Sequence, residues 1–571
     1  MSQACPRCND YIEIEKIIPR DPERRGERSG DAMSGISGVN RRAFMALAGA
    51  ATAAPFAGWG AENVPQARVE ANPAFKPDVE FDLLCRRDAV QIFDGAPTKV
   101  WRYASELAKG PPNTLTTFPR GYLGPVIRFE KGQKIRIRLR NELPEATIAH
   151  WHGLHVPMLA DGHPMNAIAP GESYVYEFEM RNRAGMNFYH PHTHEATATQ
   201  VYRGLAGLIM VEDEEERALG LPAGEYEIPL VIQDRSFDDD NQLLYGGGMH
   251  RDMFGFYGER ILVNGQPNYR IEAATRAYRF RILNASNARI YKLAWDDGAP
   301  LTVIGVDGGL LETPETRRYI MLAPSERVDL WVDFSGRAVG DRLTMRSLGF
   351  SGLVPEMAMS DDAESPMELF TVVVTRAVGD SPKLPAKLST IRRYRESDLA
   401  NPGDPIPIAI GMSHMRMTLN GRAYGHDDLM PRERVPVDTV QGIEIFHDHG
   451  GMGHGMGRGM GGGGMRRGMG MGGGMMGPGM GMMGMMSMAH PIHLHGQQFQ
   501  VLSRTFDGDP DARATYADGL IDSGWKDTVL VAPGDRIVIA KPFGDYRGRF
   551  MYHCHNLEHE DMGMMREFSI E

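Results

Sequence analysis

Cysteine is scarce, with four residues in a chain of 571, which excludes a disulfide-stapled scaffold. Basic charge is not in excess either. Lysine and arginine number 62 against 74 aspartates and glutamates, a net charge of −12, so the charge balance gives no reason to expect nucleic acid as a partner. No apolar run reaches the roughly 20 residues of a membrane-spanning helix, and long helical periodicity is missing. At about 150 residues per domain, the length suggests three or four domains. Methionine and glycine are in surplus, at 37 and 67 residues. Fourteen of those Met and 19 of those Gly lie between Gly450 and Met488, a stretch from which no packed core can come.

The segment Asn40-Arg41-Arg42-Ala43-Phe44-Met45, followed by the small apolar run Ala46 to Ala57, reads as a twin-arginine export signal. The run is too short to remain as a membrane anchor. The expected destination is therefore outside the cytoplasm, in the periplasm, reached through the twin-arginine machinery. Met33 gives a more ordinary start than Met1, and the polar residues before it read as an extension. Cys5 and Cys8 form a lone C-x-x-C ahead of the signal, with no second pair to complete a zinc site. Cys85, in Phe81-Asp82-Leu83-Leu84-Cys85, reads as a buried core thiol. Cys554 stands between two histidines, where a thiolate is better explained as a metal ligand than as half of a disulfide with Cys85.

From about residue 78 onward, strand signals dominate. Lys134 to Leu139, Tyr174 to Phe178, Tyr278 to Leu283 and Arg536 to Ile539 alternate with period two, which places one side of each strand on a core. The turn Ala169-Pro170-Gly171-Glu172 returns as Ala323-Pro324-Ser325-Glu326 and as Ala532-Pro533-Gly534-Asp535, each time ahead of an alternating strand. Val263-Asn264-Gly265 and Leu419-Asn420-Gly421 are a further matched pair. The spacings agree once the Met/Gly insert is set aside. The reading is all-β, with antiparallel sandwiches: an N-terminal extension and signal over 1–60, then domains over 75–215, 222–380 and 405–571, the last carrying the insert at 450–488.

Ten of the 19 histidines fall in four groups, at His150/His152, His190/His192, His490/His493/His495 and His553/His555/His559. A single H-x-H is weak evidence, since imidazoles bond readily to backbone carbonyls. Four groups, two in the first domain and two in the last, point to metal. On a strand, His553 and His555 face one way and Cys554 the other, so one strand can serve two sites. The same parity separates His490 from His493 and His495. On the thiolate side, His490, Cys554, His559 and Met564 supply two imidazoles, a thiolate and a thioether, the ligands of a blue-copper electron-transfer site. Zinc is the competing reading, although it has no use for the thioether. The other side gathers His150, His152, His190, His192, His493, His495, His553 and His555. Eight imidazoles suit a cluster of about three ions with room for a small ligand.

With these four motifs in this order, the chain resembles the multicopper oxidases, in particular the bacterial copper-efflux and copper-resistance oxidases and their laccase relatives. The resemblance implies three cupredoxin-like Greek-key β-sandwich domains, four copper ions and four-electron reduction of dioxygen to water. It implies that His490, Cys554, His559 and axial Met564 are type 1 ligands and that His150 and His493 are type 2 ligands. His152, His190 and His555 would hold one type 3 copper, and His192, His495 and His553 the other. Asp161 and Glu560 match the family's proton-relay acids, as a buried oxygen-reducing site requires. His155, His163 and His194 fall outside the pattern and read as supporting or surface residues. The favoured electron donor is copper(I), whose soft-ligand preference the thioethers of the insert meet, in a role in copper tolerance. A small organic donor such as a phenol, oxidised as by a laccase, is the alternative, and a non-catalytic copper store is the reading from another class. Relative to the efflux oxidase the insert is displaced: it follows His447-Asp448-His449 and runs into Ser487-Met488-Ala489-His490. Met486 stands where the efflux enzyme has an acid.

Overall fold

The computed structural model describes residues 70–355, 363–413, 416–447 and 488–571. Cys5, Cys8, Met33, the Arg41-Arg42 signal and the Met/Gly insert up to Ser487 lie outside the described residues. The period-two segments at Lys134 and Tyr174 form neighbouring strands, Lys134–Asn141 antiparallel to Ser173–Glu179, with Ile137 opposite Tyr176. Most other regular elements are also strands, and they assemble into six sheets. No helix among the described residues is long and apolar enough to cross a membrane.

The sheets pair into three sandwiches in chain order. In the first, whose strands run from Val79–Val90 to Gly207–Glu212, Ile135, Ile137 and Tyr176 of one sheet meet Trp151 and Tyr189 of the other in one buried core. The second runs from Glu227–Phe237 to Met367–Arg376 and packs Phe280, Ile282 and Leu330 against Leu293, Met345 and Phe370. The third runs from Ile406–Ser413 to Met565–Ile570, with Ile408, Ile443 and Ile537 against Ile492, Tyr552 and Phe568. Each fully buried side chain of this size contributes about 1.5–3 kcal/mol. Cys85 is a buried free thiol within the first core.

The three matched turns close on one device. The last acid of each accepts a hydrogen bond from the backbone N–H of its first residue: Glu172 from Ala169 at 2.9 Å, Glu326 from Ala323 at 2.9 Å and Asp535 from Ala532 at 3.0 Å. Asn264 and Asn420 also share a conformation, with φ of 53° and 55°, and each side-chain oxygen accepts from a backbone N–H at 2.8 Å, from Val231 and Ala409 respectively.

The alternation in Tyr278 to Leu283 puts Tyr278, Phe280 and Ile282 on the core as expected, and strand Ala277–Asn284 is buried on its other face as well. Its polar face is covered by acids from neighbouring elements. Arg279 pairs with Glu216 and Asp329 at 2.8 and 2.5 Å, and Arg281 with Glu216 and Glu227 at 2.9 and 2.8 Å.

Candidate metal centre

The four histidine groups meet where the first and third sandwiches touch. Strand Ala149–His152 pairs with Gly185–Pro191, placing His150 opposite His190. Between His150 and His152, Trp151 turns the other way into the core, against Tyr176 and Tyr189. In the third sandwich, strand His490–Leu494 pairs with Gly548–Cys554, His493 opposite His553 and Ile492 opposite Cys554. The pleat thus sends Tyr552 and Cys554 into that domain's core cluster and His553 to the reverse face. The histidine sets lie on the outer faces of two sheets, and docking of the sandwiches buries them.

Eight imidazoles gather there, all buried. Their ring nitrogens form three close sets: His150 with His152 and His493, His152 with His190 and His555, and His192 with His495 and His553. In the last set, Nε2 of His192 and of His495 lie 3.3 and 3.2 Å from Nε2 of His553. Backbone carbonyls fix several tautomers. Nδ1 of His150 donates to Asp161 O at 2.6 Å, of His190 to Pro191 O at 2.8 Å, of His493 to Asp527 O at 2.8 Å and of His553 to Cys554 O at 3.1 Å. That leaves Nε2 of each as a lone-pair donor. Nε2 of His150, His190 and His493, Nδ1 of His152 and both nitrogens of His555 have no hydrogen-bond partner. Buried polar atoms are rarely left so, and metal ions shared among the three sets would satisfy them. Burial and the neighbouring rings hold His150, His152, His192, His493, His495 and His555 well below the usual histidine range, and burial takes His190 down to about 4. Neutral imidazole is the form that ligates.

The two acids sit behind this set. Asp161 Oδ2 is 2.7 Å from His495 Nδ1, and burial pushes its carboxyl upward. The turn that carries it needs Gly162, at φ +82°, where a Cβ would lie 2.1 Å from Ala149 O. Glu560, on the short helix Leu557–Asp561, is buried with Oε2 at 3.1 Å from His553 Nδ1 and Oε1 at 3.8 Å from His192 Nδ1.

On the other side of the strand, Cys554 Sγ is 3.4 Å from His490 Nδ1 and 3.7 Å from His559 Nδ1. The chain folds back here: Cys554 N–H donates to Met564 O at 3.0 Å, and Met564 N–H to His559 O at 2.9 Å. Met564 is buried in the same cluster as the thiol. His559 Nε2 donates to Met253 O at 3.0 Å, turning its Nδ1 towards the sulfur. Burial raises the Cys554 thiol, and a bound cation would reverse that by favouring thiolate. The donor set, two imidazoles and a thiol beside a buried thioether, fits copper. Both cysteines among the described residues are free.

The three histidines close to the motifs but outside their pattern divide. His163 is buried, with Nε2 3.0 Å from Glu567 Oε2. His155 is half-buried, 2.8 Å from Asp545, and His194 is exposed beside Glu195 at 3.9 Å. None of them joins the metal-facing sets. Sequence reasoning missed Asp527, whose Oδ1 lies 3.0 Å from His152 Nε2, and Met253, which comes from the middle sandwich. The only local sign of Asp527 is a charged pair, Lys526-Asp527, at the mouth of the apolar strand Thr528–Val531.

Known proteins agree with this geometry. Residues 100–216 and 480–571 match family models for multicopper oxidases. The chain is 31% identical to a laccase of Bacillus stratosphericus over 516 residues, covering 81% of this chain and 91% of the relative. It is 30% identical to the multicopper oxidase mco of Staphylococcus epidermidis over 448 residues, covering 78% and 82%. Among solved structures, the McoA multicopper oxidase of Aquifex aeolicus superposes with a TM-score of 0.69 at 32% identity, over 87% of this chain and 97% of that one. This chain therefore belongs to the multicopper oxidases of the bacterial laccase-like type, cupredoxin-fold copper oxidoreductases that take electrons from a donor substrate and use dioxygen as acceptor.

Proposed function

We propose that the protein is an exported cuprous oxidase that serves copper tolerance in the periplasm. In this reading His490, Cys554 and His559, with axial Met564, hold a type 1 copper. His150 and His493 hold a type 2 copper, and the triads His152/His190/His555 and His192/His495/His553 hold a type 3 pair, four ions in all. The domain limits are 75–215, 222–380 and 405–571. When bound, copper supplies one-electron acceptance at the Cys554 site and reduction of dioxygen at the eight-imidazole site. Cys554 is joined through the main chain to His553 and His555, so electrons have two short covalent routes between the sites. Four copper(I) ions become copper(II) while one dioxygen and four protons become two waters. Asp161 at His495 and Glu560 at His553 are placed to hand those protons inward.

One observation carries the choice of donor. The Met/Gly insert leaves and rejoins the described fold beside His490: the His447 ring is 5.5 Å from the His490 ring, and Met488 is buried in the cluster that contains Cys554. Both described ends of the insert thus lie by the electron-entry site, and thioether, in which the insert is rich, is a soft ligand suited to copper(I). The laccase reading is favoured by the 31% identity to a laccase. Deletion of Met452 to Met486 separates the two: oxidation of copper(I) falls selectively while oxidation of a phenol is kept. Equal retention of both rates contradicts the cuprous reading.

A further inference from the structure

Among the described residues, Asp527 is the only carboxylate paired with His152, and Arg327 holds it. Arg327 begins strand Arg327–Asp333 of the middle sandwich, a domain from which no described residue joins the histidine sets. Its Nη1 donates to Asp527 Oδ1 at 2.7 Å and its Nη2 to Oδ2 at 2.5 Å, a two-pronged grip that only a guanidinium can make. The guanidinium is fixed in turn by carbonyls of Met186 at 3.1 Å, Ser325 at 3.0 Å and Asp307 at 3.1 Å. One buried side chain thus ties together all three sandwiches.

The grip reaches the histidines by two routes. Asp527 Oδ1 is 3.0 Å from His152 Nε2, and Asp527 O is 2.8 Å from His493 Nδ1. Arg327 also lies over the Phe188 ring at 5.8 Å, and Phe188 stacks on His152 at 4.3 Å. The packing leaves no slack. Gly153, next to His152 and at φ +87°, would place a Cβ 2.7 Å from Arg327 Nη2 and 2.8 Å from Asp527 Oδ2. Lys526 completes the junction, with Asp307 at 3.2 Å and Glu326 at 3.1 Å.

We infer that Arg327 is a positioning residue for the copper cluster: acting through Asp527, it orients His152 and His493, so that the middle domain controls copper binding between the other two. The inference rests on reading the eight imidazoles as a copper site. It requires that weakening the grip should loosen cluster copper without touching the Cys554 site.

The test uses the full-length, copper-loaded protein and the variants Arg327→Lys and Asp527→Asn. Copper retained against a chelator, the paramagnetic resonance of the non-blue copper and the visible thiolate-to-copper(II) absorption are measured together. Both variants should lose 10- to 100-fold in affinity for cluster copper, the usual effect of removing a group that orients a ligand, with the visible absorption unchanged. Arg504→Lys is the control. It weakens a buried grip on Asp522 and Asp535 at 2.6–2.7 Å that touches no histidine, and it should keep both signals. Wild-type affinity in both Arg327→Lys and Asp527→Asn overturns the inference, as does an equal loss in Arg504→Lys. If Arg327→Lys does not fold, Gly153→Ala probes the same junction from the histidine side, and its retention of cluster copper overturns the inference equally. Wild-type protein that binds copper only at Cys554 would instead refute the underlying reading of the histidines.

Discussion

Removing copper should make the protein acid-sensitive in a pH range where ordinary, solvent-exposed carboxylates hardly titrate. Burial lowers both His190 and His559 from an ordinary value near 6.5 to about 4, so the folded state takes up their protons later than the unfolded chain does. Stability is therefore full above pH 6.5 and declines as pH falls towards 4. From pH 7 to pH 5, each of these two residues costs about 2 kcal/mol, and together they cost about 4 kcal/mol. His150, His152, His192, His490, His493, His495 and His555 shift the same way and add to the loss, whereas the buried acids Asp161, Glu558 and Asp561 shift upward and offset part of it. Against a typical net stability of about 5–15 kcal/mol, the loss is large. Urea unfolding of chelator-treated protein at pH 7, 6 and 5 measures it directly. Copper-loaded protein should show a shallower dependence, because a coordinated nitrogen cannot take up a proton without releasing its metal. A change below about 1 kcal/mol in the copper-free protein between pH 7 and pH 5 would refute the claim that these imidazoles are held neutral by burial.

Two substitutions probe the surroundings of the cluster. Asp161→Asn keeps an oxygen near His495 but cannot carry a proton. Turnover should fall by about 100-fold or more, with the visible absorption and the KM for the donor unchanged, as steady-state oxygen consumption will show. Gly162→Ala places a Cβ against Ala149 O at a φ of +82°. It should cost about 2 kcal/mol or more and lower the melting temperature of the copper-free protein.

The candidate ligands were legible because strand parity is a local rule. A His-x-His pair must face one way, so the placement of Trp151 in the core and of His150 and His152 outside it follows from the order of three residues. The return of the chain through Cys554, His559 and Met564 was legible for a similar reason, since the spacing is short. What parity cannot show is which reverse faces dock. Asp527 lies 375 residues from the His152 it contacts, and 200 from Arg327. Their partnership exists only once three separately patterned sandwiches have come together. The same holds for Arg279 and Arg281, which alternation leaves off the core side and which are covered by Glu216 and Glu227, upstream of their own strand, and by Asp329 on the neighbouring strand. Met253 was hidden differently: it acts through its carbonyl, which any residue could supply.

The central claim is that electrons enter at Cys554 and reach dioxygen through the eight imidazoles. Donor electrons consumed per dioxygen, measured alongside the visible absorption in wild type and Cys554→Ser, test it most directly. Wild type should show the intense thiolate-to-copper(II) absorption and consume four donor electrons per dioxygen without releasing peroxide. Cys554→Ser should lose both absorption and turnover while retaining copper at the histidine cluster. Turnover that persists in Cys554→Ser, or a wild-type ratio of two electrons per dioxygen with peroxide as product, would contradict it.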